Sequence, residues 1–122
     1  MLKLLIVDDE KIIRETMAGL IDWNSLGIQL IGTARDGIEA YNMILDEYPD
    51  IVLTDIKMPG LSGLELIQKI HGINKDTHFI ILSGYGEFEY AKKAMQYGVK
   101  HYLLKPCNEE QIIESLQDVI KD

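Results

Sequence analysis

Five short apolar segments stand out along the chain, and charged or turn-forming residues bound each of them. Ile, Leu and Val dominate these segments, and polar residues rarely alternate with them. Such continuous runs are typical of strands that are buried on both faces of a parallel sheet. The pattern therefore predicts strands at residues 2–7, 28–34, 50–54, 78–82 and 101–104.

The segments between these runs have apolar residues three or four positions apart, which places an apolar stripe on one face of an α-helix. Helices are therefore predicted at residues 11–21, 38–45, 64–70, 88–97 and 112–120. Gly98 stands where a helix often ends in a left-handed residue. Capping-box spacing supports three of the helix starts: Asp36 with Glu39, Ser62 with Glu65, and Asn108 with Gln111.

A strand followed by a helix, repeated five times, predicts a single α/β domain over residues 1–122. In such a domain, helices cover both faces of a doubly wound parallel sheet. Ligands of this architecture bind beyond the carboxyl ends of the strands. The residues that follow each strand are therefore the place to look for a site.

Composition narrows the classes of partner. The 122 residues include 12 Lys and Arg against 20 Asp and Glu, which gives a formal net charge of −8. Such a chain is a poor ligand for nucleic-acid phosphates or an anionic membrane surface, and it is compatible with divalent-cation sites. The single cysteine, Cys107, excludes an internal disulfide, and no window reaches the ~18 apolar residues of a membrane span. We therefore expect a soluble, cytoplasmic protein.

Residues suited to phosphoryl chemistry follow four of the predicted strands: Asp8, Asp9, Asp55, Ser83 and Lys105. Clustered carboxylates repel one another unless a cation is present, and hard oxygen ligands suit Mg²⁺. A carboxylate can also act as a nucleophile and form an aspartyl phosphate, whose charge an ammonium and a hydroxyl would stabilise. Taken alone, each residue is better explained as a turn residue, a helix cap or a solvated loop residue. Their combination at separate strand ends favours a phosphoacceptor site.

Four stretches, LLIVDDE, PDIVLTDIKMPGLSGLEL, IILSG and YLLKP, resemble the response-regulator receiver domain of two-component signalling. The resemblance covers the chain from Leu4 to about residue 120. It implies a flavodoxin-like, five-stranded parallel sheet of order 2-1-3-4-5 with five helices. It also implies a signalling switch that takes a phosphoryl group from a sensor histidine kinase in a Mg²⁺-dependent reaction. Such a domain catalyses only its own phosphorylation and dephosphorylation.

The resemblance gives the matching residues their roles in phosphoryl transfer. Asp55 corresponds to the phosphoacceptor. The implied Mg²⁺ ligands are Asp8, Asp9, Asp55 and the backbone carbonyl of Lys57. Lys105 corresponds to the lysine that pairs with the phosphoryl group.

Other matching residues are implied to carry the switch. Ser83 corresponds to the hydroxyl that moves to the phosphoryl group, and Tyr102 to an aromatic ring that turns inward on activation. The peptide bond between Lys105 and Pro106 is expected to be cis. The surface of the fourth helix, fifth strand and fifth helix would then change. Tyr90 and Tyr97 either lie on that surface or simply pack on the sheet.

A narrower resemblance concerns the output. The stretches LIDWNSLGIQLIGTARDGIEA and SGYGEFEYAKKAMQYGVKHYLLKP resemble receivers attached to AraC-type helix-turn-helix transcription factors. No DNA-binding domain follows within the 122 residues, so we expect either an excised or a stand-alone receiver. The expected output is transcription through a separate DNA-binding domain, with a phosphorylation-dependent homodimer. Trp23 is equally well explained as a hydrophobic lid.

Two alternatives remain open. A phosphatase of the haloacid-dehalogenase type would need a second Asp two residues after the nucleophile, where this chain has Lys57. A degenerate receiver would bind proteins without phosphorylation, and the complete set of acidic, hydroxyl and lysine residues argues against it.

Lys57 and Tyr85 stand at positions that tune phosphoryl lifetime in this family. Other motifs fail, because Gly84 and Gly86 lack a third glycine and the histidines lack metal-ligand spacing: His71, His78 and His101.

Overall fold

The computed structural model describes residues 1–84 and 86–121, along which five strands alternate with five α-helices. The strands are β1 (Leu2–Val7), β2 (Ile28–Ala34), β3 (Ile51–Asp55), β4 (His78–Ser83) and β5 (His101–Leu104). The helices are α1 (Lys11–Leu20), α2 (Gly37–Glu47), α3 (Gly63–His71), α4 (Phe88–Met95) and α5 (Glu109–Lys121). A short 3₁₀ helix, Asn24–Leu26, precedes β2.

The strands form one parallel sheet in the order β2-β1-β3-β4-β5, which confirms the predicted fold class. The strand order reverses between β1 and β3, so this pair marks the crevice where ligands bind in open α/β sheets. Because the strands are parallel, the carboxyl ends of β1, β3, β4 and β5 lie along the same edge. The residues that follow these four strands are thereby brought together.

Helices bury both faces of the sheet. One apolar cluster joins Leu5, Val52 and Ile81 to the inner faces of α2, α3 and α4. A second cluster joins the alternate strand residues, such as Leu4 and Leu53, to α1, α5 and Trp23. Neighbouring strand residues point to opposite faces of a sheet. The continuous apolar runs of the sequence therefore have a direct physical reason.

Element boundaries differ from the sequence-based prediction by a few residues. β3 extends to Asp55 because the N–H of Ile56 still donates to the Leu82 carbonyl at 3.0 Å. α4 ends at Met95, two residues early, because the following N–H groups bond to carbonyls three residues back. Gly98 is left-handed, with φ of 87°, but it ends this tight turn rather than the helix itself.

The three predicted helix caps form in two different ways. Ser62 with Glu65 and Asn108 with Gln111 exchange reciprocal hydrogen bonds, as a capping box requires. At α2, the Asp36 side chain accepts from the N–H of Glu39, but Glu39 reaches back to the N–H of Arg35 instead.

Several apolar side chains of the predicted helix stripes are exposed rather than buried: Leu20, Ile38, Phe88, Met95 and Ile120. Each lies within the first two or last two residues of its helix, so burial is incomplete at these helix ends. Hydrophobic periodicity identifies the face of a helix but not how far along that face the sheet reaches. No helix of the described ranges is long and apolar enough to cross a membrane.

Candidate functional site

Three carboxylates meet at the carboxyl edge of the sheet. Asp8 and Asp9 follow β1, and Asp55 ends β3 beside it. One oxygen atom from each of the three lies within 4.8 Å of the others. Asp8 and Asp55 are buried while Asp9 is exposed, so the cluster opens to solvent on the side of Asp9.

Lys105 bridges the two buried carboxylates. Its Nζ donates to Oδ2 of Asp8 and to Oδ2 of Asp55, at 3.0 Å in both cases. The N–H of Lys105 donates to the Ser83 carbonyl at 2.8 Å, which aligns the lysine with the end of β4. The peptide bond between Lys105 and Pro106 is cis. Hydrogen bonds from an ammonium to a carboxylate are stronger than those between neutral groups.

Burial of Lys105 acts to lower its pKa, but the hydrogen bonds and negative charges of Asp8 and Asp55 outweigh it and raise the pKa above its ordinary value. Lys105 is therefore an ammonium at physiological pH.

Asp55 has an unusual acidity for a carboxyl group. Its pKa is raised from 3.8 to about 6, chiefly by burial and to a smaller extent by the charges of Asp8 and Glu87, against the opposing hydrogen bond and charge of Lys105. The ionised form of Asp55 is therefore held in a site that disfavours it. A further positive charge at this edge would relieve that cost.

Backbone contacts fix the positions of both buried carboxylates. Oδ1 of Asp8 accepts from the N–H of Glu10 at 2.9 Å, and the Asp8 carbonyl accepts from the Arg14 guanidinium at 2.8 Å. The Asp55 carbonyl accepts from the buried Thr54 hydroxyl at 2.9 Å.

Gly63, the first residue of α3, lies directly against the end of β3. A Cβ at Gly63 would overlap the Asp55 carbonyl oxygen and come within 2.9 Å of the Ile56 Cα. The start of α3 therefore packs on the backbone of Asp55 as closely as only glycine permits.

The Ser83 hydroxyl is buried at the same edge and has no hydrogen-bond partner among the described residues. Asp55 pairs with Leu82 in the β3–β4 register, so Ser83 lies one residue beyond it along β4. Buried hydroxyl groups normally have a partner. An unpaired one beside Asp55 is a donor available to a group bound there.

Two hydrogen bonds join Gly84 and Glu87 between β4 and α4. The Glu87 carboxylate accepts a hydrogen bond from the N–H of Gly84, and the Glu87 N–H donates to the Gly84 carbonyl at 3.3 Å. Glu87 thereby adds a fourth carboxylate close to the acidic cluster.

The predicted tuning and switch residues lie around this edge. Lys57 is exposed, and its Nζ lies 5.5 Å from the ring centre of Tyr90 on α4, a cation–π contact. Tyr102 on β5 is half-buried, with its ring centre 6.5 Å from that of Phe88. Tyr97 packs instead on α3, against His71 and Gln68. Tyr85 lies outside the described residues.

The remaining residues singled out by sequence lie elsewhere. His71, His78 and His101 line one cavity of about 190 Å³ near the amino ends of β4 and β5, and the described residues hold no metal-like cluster there. Trp23 is buried, and its Nε1 donates to the Ala18 carbonyl at 2.9 Å, as a packing residue would. Cys107 is half-buried beside the groove between α1 and α5.

Chemically, the edge combines hard oxygen donors with one ammonium. Three carboxylates that converge within 4.8 Å fit a small divalent cation such as Mg²⁺ far better than a soft metal. Lys105 and the unpaired Ser83 hydroxyl are suited to bind anionic oxygens.

Sequence reasoning missed Arg14, Thr54, Gly63 and Glu87. Gly63 and Glu87 left a readable trace, a glycine at the first helical position after Ser62 and a carboxylate four residues after Ser83. The Arg14 and Thr54 side chains donate to backbone carbonyls of residues close to them in sequence, and no motif marks these contacts.

Comparison with known proteins identifies the family. A family model described as the response regulator receiver domain matches residues 4–117. The chain is 60% identical over 122 residues to the transcriptional regulatory protein YesN of Bacillus subtilis, covering all of this chain and 33% of that protein. The chain thus spans about a third of this relative's length.

Two solved structures are similar along almost the whole chain. The receiver domain of AraT, a response regulator from Geobacillus stearothermophilus, gives a TM-score of 0.93 at 37% identity, covering 98% of this chain and 93% of that one. A two-component transcriptional regulator, AraC, from Clostridium phytofermentans gives 0.92 at 36%, covering 99% and 94%. Both the general and the AraC-type resemblance are thereby confirmed. The chain belongs to the response regulator receiver domain family and is a receiver domain of two-component signalling.

Proposed function

We propose that Asp55 accepts a phosphoryl group from the phosphohistidine of a sensor histidine kinase, and that this modification switches the regulator. The observation that carries the proposal is the position of Lys105. Its ammonium lies 3.0 Å from both Asp8 and Asp55, at the edge where an acceptor carboxylate needs charge neutralisation. The family match over residues 4–117 supports the same assignment.

In the proposed reaction, a carboxylate oxygen of ionised Asp55 attacks the phosphorus atom. The P–O bond to Asp55 forms as the P–N bond to the donor histidine breaks. The imidazole leaves with the electron pair and takes up a proton. Lys105 then moves its hydrogen bond from the carboxylate to a phosphoryl oxygen, which offsets the charge that accumulates there.

Asp8, Asp9, Asp55 and the backbone carbonyl of Lys57 are the proposed Mg²⁺ ligands. The three carboxylates converge as such a site requires. A bound Mg²⁺ would supply positive charge that offsets the repulsion among the carboxylates and the phosphoryl oxygens. Asp8 helps to orient Asp55, because both carboxylates accept a hydrogen bond from the Lys105 ammonium.

We propose that the negative charge of the phosphoryl group on Asp55 causes the change that controls transcription. A phosphoryl group on Asp55 would attract the unpaired Ser83 hydroxyl, the loop after β4 would shift, and Tyr102 would repack. The surface of α4, β5 and α5 would change as a result. We propose that this surface then forms a homodimer and controls transcription in the cytoplasm through a separate DNA-binding domain. The acidic receiver itself would not contact DNA.

The test is phosphorylation by acetyl phosphate in the presence of Mg²⁺. Wild-type protein should be labelled on one residue, whereas Asp55→Asn should lose the labelling entirely, because an amide cannot form an acyl phosphate. Asp46→Asn, the same substitution at an exposed carboxylate on α2, serves as the control and should keep full labelling. Undiminished labelling of Asp55→Asn would overturn the assignment.

A further inference from the structure

Glu87 turns its carboxylate away from its own helix. It is the N-cap residue of α4, a position whose side chain usually accepts a hydrogen bond from the first helical turn. No such bond forms within the described part of the chain. Its carboxylate accepts instead from the N–H of Gly84, at the end of β4.

This contact lies beside the acceptor carboxylate. Asp55 pairs with Leu82, so Ser83 and Gly84 continue β4 past Asp55 along the site edge. After burial and the charge of Asp8, the charge of Glu87 also contributes to the raised pKa of Asp55. Glu87 is therefore close enough to influence any charge placed on Asp55.

A phosphoryl group on Asp55 would need the donor that Glu87 occupies. Such a group carries about −1.5 to −2 charges and binds best to fixed N–H and O–H donors. The Gly84 N–H is the backbone donor next to Ser83, and it is held by a half-buried carboxylate. Two anions near one N–H repel each other, more strongly in a half-buried place than in water.

We propose that Glu87 is a latch on the loop between β4 and α4, which holds the Gly84 N–H in the unphosphorylated protein and yields it to a phosphoryl oxygen on Asp55. The latch sets the balance between two arrangements of this loop. This inference rests on the proposed phosphorylation of Asp55. It adds Glu87 as a residue that opposes the conformational change.

The test measures the affinity for beryllofluoride, a phosphoryl mimic, in the presence of Mg²⁺. Glu87→Gln keeps an acceptor oxygen but removes the charge, and it should bind the mimic about tenfold more tightly than wild type. Glu87→Ala removes both and should gain at least as much. Glu89→Gln removes one charge from an exposed position two residues further along α4 and should change the affinity little.

The outcomes separate this inference from the phosphoacceptor proposal. If wild type binds the mimic and Asp55→Asn does not, the acceptor assignment stands and the Glu87 variants decide the latch. Unchanged or weaker binding by both Glu87 variants, or an equal gain in Glu89→Gln, overturns the latch alone. Failure of wild type to bind the mimic overturns both.

A second measurement follows the hydrogen bond itself. In Glu87→Ala without the mimic, the ¹⁵N-resolved amide signal of Gly84 should move upfield and exchange faster with water, while the signals of β3 stay in place. Those β3 signals show that the variant is folded. A Gly84 amide that keeps its position and exchange rate contradicts the latch.

Discussion

The ionised carboxylate of Asp55 destabilises the folded protein. Its pKa is raised by burial to about 6, against an ordinary value of 3.8. A carboxyl group whose pKa is higher in the folded state contributes stability when it is protonated, and this contribution is lost as the pH rises through about 6. Without metal, the ionised Asp55 should therefore cost up to about 3 kcal/mol at neutral pH.

Asp55→Asn should consequently be more stable than wild type in metal-free buffer. Its advantage in the free energy of unfolding should grow as the pH rises from about 4 through about 6, and it should level off above about pH 7, where ionisation of wild-type Asp55 is nearly complete. Urea denaturation across this range measures it. Asp46→Asn, at an exposed position, should show no such gain. A destabilised Asp55→Asn at neutral pH would contradict the argument.

Ser83→Ala removes a hydroxyl that makes no hydrogen bond within the described residues. Stability of the free protein should therefore change by less than about 1 kcal/mol, since no partner is left unpaired. Affinity for beryllofluoride should fall about tenfold or more, because a hydrogen bond to a charged group is lost. Ser115→Ala, which removes the hydroxyl of a serine on α5, is the control and should leave the affinity for beryllofluoride unchanged. A large loss of stability with unchanged affinity would show that Ser83 is structural.

At the level of elements, α3 and the end of β3 form one rigid unit through Gly63. Gly63→Ala should destabilise the protein by about 1–3 kcal/mol or more, because the new Cβ overlaps the Asp55 carbonyl and nearby backbone must shift. It should also weaken beryllofluoride binding by displacing the acceptor.

Gly19→Ala provides the matched control for Gly63→Ala. Gly19 is exposed in the helix α1, and a Cβ there would meet nothing within 4 Å. This variant should gain about 0.5–1 kcal/mol, because alanine loses less backbone entropy than glycine in a helix. Thermal denaturation of the two variants gives the comparison, and equal effects would contradict the close-packing argument.

Element types could be predicted from sequence because their causes are local. Continuous Ile, Leu and Val runs require burial on both faces, and capping pairs such as Ser62 with Glu65 mark helix starts. The ends of elements could not be predicted as well. β3 extends to Asp55 because the N–H of Ile56 donates to the Leu82 carbonyl on another strand. Phe88 is exposed although the apolar spacing of its helix predicts that it is buried.

The convergence of acidic residues and a lysine at one edge of the sheet was predictable, but the internal contacts of the candidate site were not. Parallel strands bring Asp8, Asp55 and Lys105 to one edge, and that follows from alternation alone. The Glu87 contact with Gly84 and the Gly63 approach to Asp55 depend on how loops cross that edge. The sequence positions of Gly63 and Glu87 mark these two residues as unusual, but no spacing shows which groups they contact.

At the scale of the whole molecule, metal binding should be visible as stability. A ligand at about 100 times its dissociation constant raises the free energy of unfolding by about 2.7 kcal/mol. For a domain of 122 residues this corresponds to a rise in Tm of roughly 10 °C. Mg²⁺ should produce such a rise because it relieves the repulsion among the three carboxylates.

Asp9→Asn should remove most of this rise in Tm, since it deletes one carboxylate of the cluster. Asp9 makes no hydrogen bond to Lys105, so the substitution leaves the bonds of Lys105 to Asp8 and Asp55 in place. Asp46→Asn should keep the full rise. Differential scanning fluorimetry with and without Mg²⁺ measures both. If Asp9→Asn responds to Mg²⁺ as wild type does, the ion binds elsewhere.

The bridge made by Lys105 spans most of the chain, because its carboxylate partners lie 97 and 50 positions earlier. Closing loops of that length costs chain entropy, which docking of the intervening strands offsets. During synthesis, Asp55 therefore emerges 50 positions before Lys105. If Asp55 accepts a phosphoryl group as proposed, chains that have not finished folding would lack the ammonium that offsets the added charge. We expect such chains to be poor phosphoryl acceptors.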